Sequence, residues 1–502
     1  MRTKLALACL LATTSASATP LFETMGPATS LGGFNWVVSD PSSASTYFNP
    51  AMMEDADDRL DVGVAVLSEQ ISLTLDGRNP SADVPLAVGA RDIIYGSPSN
   101  PTQLPNTVVP TQWLENGNCP QNTPVSQCFT ARPRQAAGSS GQTRPYLVLG
   151  AVKHLIKNRF SVGAYLMLPI ANLTTANAFY SDGREALFSD SLHPELYGDR
   201  LTALSIAVAG SFRLLKSLSL GIGTTLGLQN QATSSSYVPS ATDYSQLLVN
   251  NSIGVTASLS PHAGVYWTPT DRARVGAVIH APSSFVIDTT IVSTLPNGTV
   301  ATGTQQEVHD YLPWRASVGA EFDVIRSRHY QFGVAAQLTW MNWSSYLDRH
   351  GQSPSIYDNQ YNSNLGFHDT LVYSIGLRHK YKKLRAFIDW QYAPTPVPPQ
   401  TGQSNYVDSD RYGVAFGGDI EATIGGVRLR PGFQLIAYRL APRFVTKDNR
   451  QIPDDVPDDA RSSTTGDPIV GAQGLQTNNP GWPGFGSEGW VYGGTVSLNV
   501  LF

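Results

Sequence analysis

From Arg59 onward one pattern repeats along the chain: roughly ten residues in which apolar and polar side chains alternate, then a connection. The connections themselves alternate between short and long. YLVLGAVKHL (146–155) turns through IKN into RFSVGAYLML, and RLTALSIAVAGSF (200–212) through RLLKS into LSLGIGTTLGL. GVTASLSPHAGVYW, PWRASVGAEFDV, DTLVYSIGLRHKY and RYGVAFGGDIEA turn in the same way into ARVGAVIHA, HYQFGVAAQLTW, LRAFIDWQY and VRLRPGFQLIAY. With a first strand near Leu60 to Leu75 and a last one closing on Phe502, the pattern predicts fourteen strands. An even number, with short turns at one end and long loops at the other, is what a closed antiparallel barrel in a bacterial outer membrane requires. The fold class is therefore all-β, a transmembrane barrel.

The two faces of each strand can be assigned. In Tyr330 to Trp340 the even positions read Tyr, Phe, Val, Ala, Leu, Trp and the odd ones Gln, Gly, Ala, Gln, Thr. Aromatic residues at both ends with aliphatic residues between them match a lipid-facing band between two interface girdles. In the last strand Val496, Leu498, Val500 and Phe502 share one face, and Thr495, Ser497 and Asn499 the other. A soluble sandwich strand alternates in the same way, so the repetition carries the assignment.

The start of the chain adds the compartment. Arg2 and Lys4, an apolar run from Leu5 to Ala12 and the small residues Ala16, Ser17 and Ala18 form a secretory signal, with cleavage expected after Ala18. Residues 19–58 are rich in Gly, Ser, Ala and Asp without clean alternation, and they precede the first strand. Two placements suit such a piece, below the barrel or inside its lumen. The expected division is thus 1–18 signal peptide, 19–58 N-terminal segment and 59–502 barrel.

Composition fits this frame, with 44 Gly, 21 Tyr, 18 Phe and 9 Trp and only 15% charged residues. A net charge of -5 with no basic cluster argues against nucleic acid as a partner. After the signal, no stretch reaches the ~18–20 apolar residues of a membrane helix. Cys119 and Cys128, in a loop rich in Pro, Asn and Gln, are expected to form a disulfide in an oxidising compartment. No metal or cofactor motif is present, and no Gly-x-Ser-x-Gly or His-Glu-x-x-His. His280, His368 and Ser374 do not pair in sequence as a hydrolase would need. The glycines of GIGTTLG have the wrong spacing for a phosphate loop and read as close packing or a bend.

Specific motifs add a resemblance. GPATSLGGFNWVVSDPSSASTYFNPAMM (26–53), with Asp40 and the triplet Asn49-Pro50-Ala51, resembles the N-terminal hatch of the FadL family (FadL/TodX-like) of outer-membrane long-chain fatty acid and hydrophobic-compound transporters. LTWMNWSSY, FHDTLVYSIGLRHKY and YAPTPVP followed by VDSDR resemble further family segments in family order. The resemblance implies a fourteen-stranded barrel with the hatch inside the lumen, in the Gram-negative outer membrane. It implies a monomer whose partners are a fatty acid or other hydrophobic molecule, outer-membrane lipid and lipopolysaccharide, and the barrel assembly machinery. It also implies a route: capture between outer loops, an inner pocket, a hatch shift and exit through a kinked strand wall. On this reading Arg349 and the run Phe285, Val286 and Ile287 are ligand-binding candidates, Asp40, Asn49 and Pro50 belong to the hatch, and Pro169 marks the kink or a plain strand end. A general diffusion porin or structural outer-membrane barrel is the alternative.

Overall fold

The computed structural model describes residues 20–75, 135–170, 192–193, 205–237, 248–294, 300–347, 356–357, 364–399, 405–446 and 484–502. Fourteen of its strands form one ring. They are β1 (Arg59–Leu75), β2 (Gln135–Ile156), β3 (Phe160–Pro169), β4 (Ser205–Leu215), β5 (Leu218–Tyr237), β6 (Leu248–Trp267) and β7 (Ala273–His280), then β8 (Arg315–Arg326), β9 (Tyr330–Met341), β10 (Thr370–Tyr381), β11 (Leu384–Ala393), β12 (Arg411–Ile420), β13 (Val427–Thr446) and β14 (Gly484–Leu501). Each pairs antiparallel with its sequence neighbours. The ring closes where β1 meets β14, from Arg59 opposite Leu501 to Leu75 opposite Phe485. Beyond that ladder, the Phe502 N–H donates to the Asp58 carbonyl at 2.9 Å.

Pleating turns the alternation into two surfaces. Leu60, Val62, Val64 and Val66 of β1 are exposed outward, as are Val496, Leu498 and Phe502 at the other side of the seam. Thr495, Ser497 and Asn499 point inward and are buried. Trp267, Trp390, Tyr412, Trp490 and Tyr492 also face out, the residue types of an interface girdle. Among the described residues no helix is long and apolar enough to cross a membrane. At the short turns, Asn158 (φ 59°) and Lys382 (φ 56°) adopt the left-handed region that tight hairpins demand.

Several strands outrun the alternation read from sequence. β2 begins at Gln135 rather than near Tyr146, and β5 and β6 continue to Tyr237 and from Leu248, into stretches expected as connections. A further hairpin, Ser283–Thr294 with Val300–Leu312, stands on β7 and β8, and its first strand pairs parallel with Asn230–Tyr237 of β5. Polar sequence there still pairs, because the ladder is made by backbone groups whatever the side chains.

Candidate functional site

Residues 20–58 meet the inward faces of strands all round the ring. The segment holds helix α1 (Pro20–Met25), a one-turn helix α2 (Ser45–Phe48) and a 3-10 turn over Pro50–Asp55. Too short to persist alone, these pieces are fixed by barrel side chains. The Ala28 N–H donates to the Tyr165 hydroxyl of β3 (3.1 Å), the Ser43 hydroxyl to Asp61 of β1 (2.5 Å), and the Val37 N–H to Gln337 of β9 (3.1 Å). Ser374 of β10 donates to the Phe34 carbonyl (3.0 Å) and Gln434 of β13 to the Met25 carbonyl (2.9 Å).

Asn49 and Pro50 have a clear local role. Asn49 caps the 3-10 turn, its side chain accepting from the Ala51 N–H at 3.3 Å, and Pro50 occupies the first position, where a missing N–H costs nothing. The fully buried Asn49 amide also donates to the carbonyls of Val37 (2.9 Å) and Val265 of β6 (3.1 Å). This turn lies against the wall because Gly221 of β5 and its register partner Gly264 of β6 lack side chains. A Cβ at Gly221 would strike the Pro50 and Ala51 backbone, and one at Gly264 would strike Asn49 Oδ1.

Charge holds the end of the segment near the short turns. It carries Glu23, Asp40, Glu54, Asp55, Asp57 and Asp58 and no Lys or Arg, while the barrel supplies the cations. Asp40 (φ 55°) accepts from the Leu31 N–H (2.7 Å) and from Arg385 of β11 (2.5 Å), which also grips Asp419. Burial alone would raise the Asp40 carboxyl, but Arg385, then Arg430, the Leu31 N–H and Arg59 hold it at about 2. Asp389 of β11, wholly buried, accepts from the Phe34 N–H (2.7 Å) and is gripped by both Arg378 guanidinium nitrogens. Ser39 donates to Glu321 of β8 (2.6 Å), which pairs with Arg274 (2.7 Å). Asp40, Arg274, Glu321, Arg378 and Arg385 line a polar cavity of about 190 Å³.

Toward the long-loop end the interior becomes apolar and aromatic. Leu21, Phe22 and Met25 of α1 are fully buried, and Phe22 lies between the rings of Tyr47 (4.5 Å) and Tyr165 (5.1 Å). The same continuous cluster reaches Tyr346, Phe367 and Tyr406 beyond the strand ends, where Tyr346 stacks on Phe367 at 4.7 Å. Arg315, 4% exposed, stands against Tyr47 in this cluster and bonds its hydroxyl (3.0 Å) and Glu23 (2.9 Å). The Tyr47 hydroxyl donates to Glu23 at 2.7 Å, and burial keeps its phenol far above the ordinary value, so it remains a donor. His262 and His280 stack beside Tyr47, 4.9 Å apart, and His262 meets the Thr46 carbonyl at 2.8 Å.

Asp40, Asn49 and Pro50 thus fall in one segment bound to the barrel, and Ser374 and His280 pack that segment. Pro169 ends β3 opposite Tyr146, facing inward. Since the Ile170 N–H donates to Pro145 of β2, alternation directs the donor that Pro169 lacks toward β4. Phe285, Val286 and Ile287 lie in the outer hairpin, paired with His309, Val308 and Glu307. Arg349, Cys119 and Cys128 lie outside the described residues. Sequence reasoning passed over Glu23, Tyr47, Arg315, Arg378 and Asp389. The last three had a readable signal, a charge at the inward phase of a strand.

A model of the family described as outer membrane protein transport protein (OMPP1/FadL/TodX) matches residues 5–424. Among solved structures, a Pseudomonas aeruginosa FadL homologue aligns at 15% identity over 98% of this chain and 98% of its own, with a TM-score of 0.48. The P. putida toluene transporter TodX aligns at 12% identity over 97% and 99% (TM-score 0.43). The Ralstonia pickettii toluene transporter TbuX aligns at 10% over 97% and 99% (TM-score 0.42). No curated protein matches the chain. With its family matched over most of its length, this chain belongs to the OMPP1/FadL/TodX family of outer-membrane transport proteins.

Proposed function

We propose that the protein carries long-chain fatty acids or similar hydrophobic molecules passively across the outer membrane, with residues 19–58 as a hatch in the lumen and residues 1–18 as a cleaved signal peptide. The observation that carries this reading is the apolar cluster running from the aromatic stack of Tyr346 and Phe367 to Phe22 and Tyr165. An aqueous pore offers an alkyl chain no favourable surroundings, whereas such a cluster does. Bonds from residues 20–58 to strands round the ring support a closed resting state over an open porin. Capture falls to the outer hairpin with Phe285, Val286 and Ile287, and to Arg349. Movement of the hatch falls to the segment around Asp40, Asn49 and Pro50. Exit falls to the seam between β3 and β4, with Pro169, which carries no N–H, just beyond its last rung of Met167 opposite Ser205.

The test is uptake of radiolabelled oleate by outer-membrane vesicles, beside conductance in planar bilayers. Saturable uptake with low basal conductance is the expected result. A steady open channel with unsaturable uptake would establish the porin instead.

A further inference from the structure

We propose that an anionic phospholipid docks on the outside of the barrel wall, one acyl chain in an apolar groove across β5 to β9 and its phosphate at the short turns below. The site goes beyond the carrier reading and needs only the barrel's place in the outer membrane. The groove has a volume of about 700 Å³ and is lined almost wholly by apolar atoms. Leu220, Val265, Ala277, Val318 and Leu338 form a line of register partners along it, one from each strand, with their side chains facing out. Ala263, Ala277 and Ala316 lower its floor between the larger Leu220, Ile279 and Trp340. Behind the floor, Gly221 and Gly264 turn no side chain inward, so the wall there is one backbone thick and rests on the Asn49–Pro50 turn.

Length and charge select the occupant. The line leaves β9 toward its long-loop end and reaches β5 at Leu220, close to the short turn that precedes Leu218. Four strand spacings of about 4.8 Å give it a length of about 19 Å, which suits one tilted acyl chain in a leaflet about 15 Å deep. At its lower end Trp267, register partner of Leu218, faces out as an interface residue. Three short turns edge that end, 216–217, 268–272 and 327–329. They carry exposed Lys216, Arg272 and Arg328 and a single acid, Asp271, which Arg326 meets at 3.9 Å. The first two turns are joined, the Thr268 N–H donating to the Ser217 carbonyl at 2.8 Å. Short turns face the periplasm, where the leaflet is phospholipid. A lipopolysaccharide holds its phosphates at the opposite end of the strands, and a zwitterionic lipid brings these cations no net charge. An anionic head group at the turns, with a chain rising past Leu220 and Val265, satisfies both halves.

Native mass spectrometry of the full-length mature protein in non-ionic detergent, titrated with dioleoylphosphatidylglycerol or dioleoylphosphatidylethanolamine, tests this. Wild type is compared with A277W, which fills the floor, with K216Q/R272Q, which removes head-group cations, and with V64W, a lipid-facing control on β1. All four substituted side chains are exposed, and heat-modifiable electrophoretic mobility checks folding. Wild type retains one phosphatidylglycerol in preference to phosphatidylethanolamine. K216Q/R272Q weakens that binding roughly thirtyfold and A277W roughly tenfold, while V64W leaves it unchanged. No retained lipid, equal retention of the two lipids, unaltered binding in A277W or an equal loss in V64W overturns the inference. So does a dimer that A277W splits, which would make the groove a contact between copies of this chain. K216Q/R272Q lies outside the strands and keeps the test decisive where A277W fails to fold. Each of these results leaves the carrier reading to the separate measurement of oleate uptake.

Discussion

Replacing Asp389 by alanine isolates what holds the N-terminal segment. Asp389 is wholly buried, receives the Phe34 N–H and is gripped by Arg378. Removing one member of a buried pair costs about 3–5 kcal/mol. Arg378 keeps the Gly32 carbonyl at 3.0 Å and Glu321 at 4.0 Å, so the lower end applies. The orphaned Phe34 N–H adds about 1 kcal/mol, for a total near 4 kcal/mol, or roughly a thousandfold in a local opening equilibrium. Hydrogen exchange followed by mass spectrometry reads this directly. The Asn35 and Ser39 amides, bonded to Gly32 and Asn35 carbonyls, lose about three orders of magnitude of protection, while the ladders of β1 and β14 keep theirs. D389N, which retains an acceptor for Phe34, loses about half as much in free energy. Unchanged protection over residues 31–39 would refute the reasoning, and so would a loss spread evenly through the barrel.

Three further outcomes follow from the same contacts. Because the Asp40 carboxyl sits at about 2, below its ordinary 3.8, its stabilisation is complete above about pH 4 and is lost as pH falls through 2; Leu31 amide protection, corrected for intrinsic rate, stays flat from pH 8 to 5 and drops below 4, and a release near pH 6 would contradict this. Gly221→Val pushes the Asn49–Pro50 turn off the wall and raises planar-bilayer conductance while the barrel remains heat-modifiable; conductance equal to wild type would count against the close approach. A disulfide from L166C/I206C, register partners of β3 and β4, cuts oleate uptake until a reductant is added; full uptake when oxidised would exclude exit through that seam.

The barrel was legible because lipid outside and polar groups inside impose period two on every membrane-crossing strand. Val62, Val64 and Val66 set against Asp61, Gly63 and Ala65 state the face of β1 outright. Legibility ends where the membrane does: the upper parts of β5 and β6 and the hairpin at Ser283 read as loops. The triplet Asn49-Pro50-Ala51 could be read as a turn, since cap and proline act on their own neighbours. Glu23 and Arg315 could not be joined, because alternation gives the face of a residue and says nothing of a partner 292 positions away. Gly221 and Gly264 were visible as glycines, but only the turn resting on them gives them a purpose.

The bond from the Phe502 amide to the Asp58 carbonyl joins the residue just past β14 to the one that leads from the segment into β1. Shutting the wall and anchoring the root of its inner occupant are thereby one event.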